Sequence, residues 1–220
     1  MPAPNIISCQ QLLECVDEVA LTTARTGPLG VMFRQVYFAG KPFAIRLADA
    51  SGAITVQCKP SAFGGTGSEA RQNITFRVPQ SVVAAFCELE DCLHQLLEDE
   101  YPDVLARWSS CIKPGSGQHQ ATLRAKITIS GSEQTRFFDA SQTLTDAPKE
   151  WRRLPVNAVL AARGVYIQKK LIGLTFDVTD MEYGEIAQHV SPFLGLSTAP
   201  SESVGNHEDD SPKHLAWSAT

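Results

Sequence analysis

The part of this sequence that could form a functional site is a set of basic residues interleaved with aromatic residues on predicted strands. Aromatic rings can stack on the bases of single-stranded nucleic acid while Lys and Arg side chains follow its phosphates. Each stacked base contributes ~1–3 kcal/mol, so two or three such rings would support binding without sequence specificity. The candidates are Arg34, Tyr37, Arg124, Lys126, Arg136, Phe138, Trp151, Arg152, Arg163, Tyr166, Lys169 and Lys170, with Phe33 and Arg153 beside them.

The same residues also fit a β domain that binds no nucleic acid. Most aromatic side chains of such a domain lie in the core, and Lys or Arg is common on an outward strand face. The direction of Tyr166 is not determined by alternation, because Val165 and Ile167 compete with it for the inward face. Both interpretations of the aromatic residues therefore stay open at this point.

Sequence motifs for catalysis or metal binding are missing. The chain has no G-x-S-x-G, no H-x-x-x-H and no H-x-E followed by P-C-x-x-C. Its six cysteines are scattered, without a C-x-x-C pair, which favours reduced thiols in an intracellular protein. The sequence therefore predicts no catalytic residue, no metal site and no cofactor.

The segment 154–183 must position several of the candidates. Residues 158–167 and 171–181 are rich in branched and aromatic residues, and only three residues separate them, which predicts an antiparallel hairpin. In the second run Leu174, Phe176, Val178 and Met181 alternate with Thr175, Asp177, Thr179 and Asp180. This period of two predicts a half-buried strand with one wet face. Gly173 near its start allows a bulge or a tight bend.

A second hairpin is predicted from residues 121–130 and 134–139, with Arg124, Lys126 and Arg136 on its outer face. Further strands are predicted at 31–38, 43–48, 54–58 and 73–78. Ser81 is placed to cap a long amphipathic helix that ends near Pro102, and Val82, Phe86, Leu89, Leu93 and Leu96 form its apolar face. Residues 1–28 predict an irregular lead-in with a short helix around 9–19.

The net charge of −5 is unevenly distributed. Residues 81–103 carry seven of the 24 acidic residues and no Lys or Arg, and the chain from Glu185 onward carries five more against Lys213. The remainder of the chain holds 18 basic and 12 acidic residues. A mildly cationic β body with its acidic residues segregated is compatible with an anionic partner.

The closing strand segment resembles the OB-fold single-stranded DNA-binding proteins of large DNA viruses and their mobile-element relatives. The likeness covers about residues 29–183, and its motif is aromatic-x-x-K-K-x-x-G-L-x-F/W-x-V, carried here by Tyr166, Lys169, Lys170, Gly173, Leu174, Phe176 and Val178. The resemblance implies an elaborated OB-like β-barrel, mainly β with added α, and a DNA groove across its strands. It also implies a role in DNA replication or recombination.

The C-terminal residues predict a disordered acidic tail. They are rich in Ser, Pro and acid and end near Trp217, which resembles the tails through which single-stranded DNA-binding proteins recruit replication partners. The expected organisation is a lead-in at 1–28, a DNA-binding domain at 29–188 and a tail at 189–220.

The expected function is non-catalytic binding of single-stranded DNA with little sequence preference. The chain is expected to be intracellular, with no signal peptide and no membrane span. The alternative function is that of a structural or adaptor protein whose β domain binds another protein, and an enzyme ranks third. The distribution of the basic residues distinguishes the first two, because a single groove favours DNA and an even scatter favours the adaptor.

Overall fold

A computed structural model describes residues 4–27, 30–47, 54–62, 71–117, 119–131 and 133–184. The protein is mainly β with one long helix, as predicted. The first eight strands are β1 (Asn5–Ser8), β2 (Val19–Leu21), β3 (Arg25–Thr26), β4 (Met32–Arg34), β5 (Val36–Phe38), β6 (Lys41–Arg46), β7 (Thr55–Val56) and β8 (Ser61–Ala62). The later strands are β9 (Arg71–Val78), β10 (Ile112–Lys113), β11 (Ala121–Thr128), β12 (Arg136–Phe138), β13 (Leu144–Thr145), β14 (Val156–Ile167) and β15 (Ile172–Tyr183). The helices are α1 (Cys9–Glu14), α2 (Gln80–Glu98) and α3 (Val104–Arg107). The predicted C-terminal tail and Trp217 lie outside the described residues.

The hairpin of β14 and β15 lies at the centre of the sheet. Its two 12-residue strands pair antiparallel from Ile167 and Ile172 at the turn, which confirms the predicted hairpin. The register shifts lie between Val159 and Leu160 and between Ala162 and Gly164. Gly173, where the sequence allows a bulge or a tight bend, has no bulge, since it pairs regularly with Tyr166.

Strand β15 is buried on both faces, so the predicted wet face is also wrong. Asp177, Asp180 and Glu182 are only 9%, 3% and 3% exposed. Strand β14 pairs along one edge of β15, while β11 and β12 pair along the other. Alternation identified the polar face correctly but could not reveal that basic side chains from distant strands cover it.

The predicted hairpin of β11 with β12 does not form. Strand β12 pairs antiparallel with β13 and parallel with β15, where Arg136 lies opposite Asp180. Strand β11 pairs parallel with an earlier part of β15, where Lys126 lies opposite Asp177. The two strands therefore follow one another along the same edge of β15, and their basic side chains come to lie along one line.

The order of paired strands is β2-β5-β6-β14-β15-β11-β9-β7. This path is open within the described part of the chain. The predicted mainly β fold is present, but its sheet does not close into a barrel. The far end nevertheless bends back toward β14, because Thr55 forms an isolated bridge with Pro155 and the Val156 N–H donates to the Ile54 carbonyl at 2.9 Å. Val56 adds two hydrogen bonds to this contact, since its N–H donates to the Leu154 carbonyl at 2.9 Å and its carbonyl accepts from the Arg153 N–H at 2.8 Å.

The N-terminal residues are more regular than the predicted lead-in. Strand β1 pairs parallel with β6, and β2 pairs antiparallel with β5. Ile7, Leu12 and Val19 are buried in the same core as the central hairpin. Ser8 caps α1 by accepting a hydrogen bond from the Gln11 N–H at 3.0 Å, and the Gln11 side chain accepts one from the Ser8 N–H at 2.9 Å.

Helix α2 packs on the core through Val82, Phe86, Leu89 and Leu93, as its spacing predicted. It begins at Gln80 with Pro79 at the cap position, so the predicted Ser81 cap is wrong. Leu97 is buried and Leu96 is 45% exposed, which corrects the predicted end of the apolar face. Within the described residues, none of the helices combines the length and the hydropathy needed to cross a bilayer.

Candidate nucleic-acid interface

An open groove of about 1000 Å³ runs across the outer face of the sheet. Strands β4, β9, β11, β14 and β15 and residues 109–111 line it. Its charged side chains are four basic ones and two acidic ones, namely Arg71, Arg124, Lys126, Arg163, Glu133 and Asp177. The groove thus gathers, on one surface, basic residues that lie up to 92 positions apart in sequence.

The basic side chains of the groove come from three strands, β9 with Arg71, β11 with Arg124 and Lys126, and β14 with Arg163. On β11, Arg124 and Lys126 alternate with the buried Leu123, Ala125 and Ile127, so the basic pair faces outward. Strand β9 pairs antiparallel with β11 and places Asn73 opposite Lys126 and Arg71 opposite Thr128. Opposite residues of neighbouring strands lie within side-chain reach, so these polar residues form one continuous surface.

Asp177 holds two of the arginines in place from the floor of the groove. Its Oδ1 lies 2.6 Å from Nη2 of Arg71, and its Oδ2 lies 2.6 Å from Nε of Arg163. The Asp177 side chain is only 13% exposed, while the two arginines are 48% and 41% exposed. Each guanidinium therefore has one edge fixed by Asp177 and remains partly exposed, where it could meet a phosphate. Nη2 of Arg163 also lies 3.2 Å from Oε2 of the exposed Glu133.

Arg124 is fixed in a different way. Its Nη2 donates to the Ser110 carbonyl at 2.6 Å and to Ser109 Oγ at 3.3 Å. No acidic side chain of the described residues pairs with it. Its charge is therefore available to an anion in the groove.

Lys126 lies between these arginines and contacts the amide oxygen of Asn73. Burial lowers the pKa of Lys126 to about 8, Arg71 and Arg124 add to this shift, and Asp177 opposes it. The ammonium is therefore charged below about pH 8 and loses its proton above it. The entry of a phosphate would favour the charged form.

Two aromatic rings lie on the same face, each over a glycine. Phe33 pairs directly with Tyr166 on the neighbouring strand. A Cβ on Gly164 would lie 2.9 Å from Cε1 and Cζ of Phe33, and a Cβ on Gly173 would lie 2.5 Å from Oη and 2.8 Å from Cζ of Tyr166. Glycine is thus required beneath each ring, and Gly164 also has φ of +149°.

This arrangement determines the direction of Tyr166, which alternation left open. Its ring crosses onto β15, while Val165 and Ile167 are buried at 0% and 1% exposure. Both Phe33 and Tyr166 are half-buried, so each ring keeps part of its surface open to the groove. Two adjacent half-exposed rings beside basic side chains form a surface on which unpaired bases can stack.

A second depression of about 230 Å³ adjoins the groove. It shares Thr128, Glu133, Arg163 and Asp177 with the groove and extends to Arg136. The Arg136 side chain is 64% exposed, pairs with Asp180 at 2.5 Å and lies over the Phe138 ring at 5.9 Å. The predicted residues Arg136 and Phe138 therefore belong to this depression and its border.

The other sequence candidates lie apart from the groove. Arg34 pairs with Glu100 at 2.7 Å and donates to the Thr22 carbonyl at 2.8 Å, and Tyr37 donates to Gln35 at 3.3 Å. Trp151 is 5% exposed and packs edge-on against Phe137, so its ring is a core element.

Three exposed basic candidates occupy turns. Arg152 lies in the turn before β14. Lys169 and Lys170 lie in the turn between β14 and β15, flanked by Gln168 and Leu171, which line the groove. The two lysines thus stand at the border of the groove.

Sequence reasoning missed Arg71, Asn73 and Glu133 as residues of this surface. On β9 the buried Ile74, Phe76 and Val78 alternate with polar residues, so the alternation itself could have assigned Arg71 and Asn73 to the outer face. The sequence around Glu133 does not predict that Glu133 lies on this surface, because its partner Arg163 is 30 residues away. Among the described residues, no group of three or more His, Cys, Asp or Glu side chains could hold a metal ion.

No family model and no curated protein matches the sequence. Solved structures of similar fold include gp2.5, a single-stranded DNA-binding protein encoded by bacteriophage T7, at 10% identity and a TM-score of 0.46, covering 68% of this chain and 90% of that chain. The single-stranded DNA-binding protein of bacteriophage Enc34, in complex with single-stranded DNA, is 11% identical with a TM-score of 0.41, covering 76% of this chain and 96% of that chain.

Proposed function

We propose that this chain binds single-stranded DNA without catalysing a reaction, with little sequence preference, and that it acts in DNA replication, recombination or repair. The observation that carries the proposal is the groove, in which two half-exposed rings lie beside four basic side chains on one sheet face. Such a combination of stacking surface and cationic track is how proteins bind single strands in general.

The geometry favours a single strand over a duplex. The bases of a duplex are stacked on one another, so the rings of Phe33 and Tyr166 could meet them only after unpairing. The bases of a single strand are free to lie on the rings while the phosphates contact Arg71, Arg124 and Lys126. Every base has a face that can stack, so this mode of binding discriminates little between sequences.

The distribution of charge favours nucleic acid over a protein partner as the occupant. Four basic side chains line the groove, Arg136 lies in the adjoining depression, and Lys169 and Lys170 stand at the border. This grouping supports a polyanion as the occupant. Most of the acidic face of α2 is exposed and lies outside the groove lining. Repulsion between carboxylates and phosphates therefore does not act along most of the groove.

A binding assay over a range of salt concentrations tests the proposal. Fluorescence anisotropy would compare a labelled single-stranded oligonucleotide with a duplex of the same sequence. The logarithm of the association constant should fall by ~0.7 per phosphate contact for each log unit of salt, roughly 3 in all if each of the four basic side chains makes one contact. Equal affinity for the two forms of DNA, or a flat response to salt, would contradict the proposal.

A further inference from the structure

The groove and the smaller depression meet at Arg163, which pairs with two carboxylates of different character. Its Nε lies 2.6 Å from Asp177 Oδ2, on a side chain that is 13% exposed. Its Nη2 lies 3.2 Å from Glu133 Oε2, on a side chain that is 75% exposed. The first contact is short and shielded, and the second is long and open to water.

The two contacts differ accordingly in how easily they break. An ion pair at the protein surface contributes ~0–1 kcal/mol, because water and salt screen it. A guanidinium that binds a phosphate through parallel N–H groups makes a stronger, charge-assisted contact. Glu133 therefore holds the solvent-facing edge of Arg163 with an interaction that a phosphate can replace.

Glu133 also lies where the two depressions join, since it lines both. Lys126 lies opposite Asp177 and Arg136 lies opposite Asp180 along the same edge of β15. Asp177 and Asp180 are three residue steps apart along the strand, which is about 10 Å. The cationic line of the groove thus continues into the second depression. Two acidic side chains lie at the crossing, the shielded Asp177 and the exposed Glu133.

We propose that Glu133 occupies a phosphate position on Arg163, and that an entering single strand displaces it and continues into the depression beside Arg136. The inference rests on the proposed function, and it adds a second binding segment and a residue that controls the passage to it. A carboxylate and a phosphate cannot share the Nη2 edge of Arg163 without repulsion, so strand binding and the Glu133 contact exclude one another.

The first test is Glu133→Gln, which removes the charge and keeps the shape. The probe is an oligothymidylate of about 20 nucleotides, which is longer than the ~4–16 nucleotides that one OB fold covers. The variant should bind this probe more tightly than the wild-type chain does. The expected gain at low salt is about two- to five-fold, the range given by an exposed ion pair. Glu98→Gln, at an exposed position of α2 that does not line the groove, makes the same change in net charge and should have a smaller effect.

The second test adds a charge in the smaller depression. Gln134 is exposed and lines it, so Gln134→Glu should weaken binding of the same oligothymidylate if a phosphate passes there. Gln95→Glu on the outer face of α2 is the matched control. Equal affinities of Gln134→Glu and Gln95→Glu would show that the strand does not enter the depression.

A double-mutant cycle tests whether Glu133 acts through Arg163. The gain from Glu133→Gln should vanish in an Arg163→Gln background, where the competition no longer exists. A gain of the same size in both backgrounds, or a gain equal to that of Glu98→Gln, would overturn the inference. A wild-type chain that does not bind the oligothymidylate at low salt would instead refute the proposed function itself.

Discussion

Replacement of Tyr166 should separate the stacking contribution to DNA binding from the contribution of the phosphate contacts. The Tyr166 ring lies across Gly173 and is half-buried, so a base can reach only its open surface. A stacked base contributes ~1–3 kcal/mol, and every ~1.4 kcal/mol changes the dissociation constant tenfold. Tyr166→Ala should therefore weaken binding of single-stranded DNA by about 5- to 150-fold. Phe33→Ala should have an effect of the same order.

The response to salt identifies the cause of the loss. Neither ring neutralises a phosphate, so the dependence of the association constant on salt should keep its wild-type slope in Tyr166→Ala. Anisotropy titrations at several salt concentrations measure the affinity and the slope together. A loss of affinity with a shallower slope would mean that the substitution displaced basic side chains, and the stacking explanation would be wrong.

Matched variants separate stacking from folding. Tyr166→Leu keeps an apolar cover over Gly173 and removes the aromatic face, and Tyr166→Phe keeps the face and removes the hydroxyl. Binding should be weakened in the first and retained in the second, with thermal unfolding measured for each. Tyr37 is also half-buried but does not line the groove, so Tyr37→Ala should bind like the wild-type chain. The stacking hypothesis is refuted if Tyr166→Ala and Tyr37→Ala bind equally well.

Three further predictions follow from the charges and the core. Raising the pH from about 7 to 9 should weaken DNA binding, because Lys126, with its pKa of about 8, loses its proton. In Lys126→Arg, the affinity measured by anisotropy should not change over this pH range. Changing Lys169 and Lys170 together to Ala should lower the salt slope by up to ~1.4, and an unchanged slope would place their turn outside the strand path. Leu93→Ala should reduce the free energy of unfolding in urea by ~2–5 kcal/mol, whereas a change within ~0.5 kcal/mol is expected for the exposed Leu96→Ala.

The sequence predicted those elements whose signal is local. The hairpin of β14 and β15 has a short turn and two runs of branched residues, and both features act within 30 positions. Helix α2 has apolar residues at helical spacing, so its buried face was predicted apart from the last turn. In both elements, the spacing of the residues determines the structure without reference to the rest of the chain.

The pairing of β12 could not be predicted in this way. Its short connection to β11 favours a hairpin, yet β12 pairs with β15, about 44 positions further along the chain. The Thr135 hydroxyl donates to the Val178 carbonyl at 2.7 Å, and the Thr135 N–H donates to the Thr128 carbonyl at 2.8 Å. The second contact is local, but the first fixes the start of β12 on the edge of β15 and depends on a strand that the local sequence does not contain.

The residues of the groove also divide into those that local sequence predicted and those that depend on distant strands. Strand alternation assigned Arg124 and Lys126 to the outer face, and the structure places both in the groove. Alternation could not distinguish Trp151, which is buried, from Tyr166, which is held over a glycine of the next strand. Whether an aromatic ring is core or surface depends on the neighbouring strand, and that information is non-local.

The acidic residues of the groove explain how a chain with a modest cationic balance can carry a binding surface. Four basic side chains in one groove repel one another, and this repulsion contributes to the lowered pKa of Lys126. Asp177 offsets part of the repulsion and at the same time fixes Arg71 and Arg163. The groove therefore keeps a small net positive charge with oriented donors. For the proposed function, we expect stacking on Phe33 and Tyr166 to supply a large share of the affinity. Binding dominated by stacking should persist at salt concentrations that abolish binding dominated by phosphate contacts.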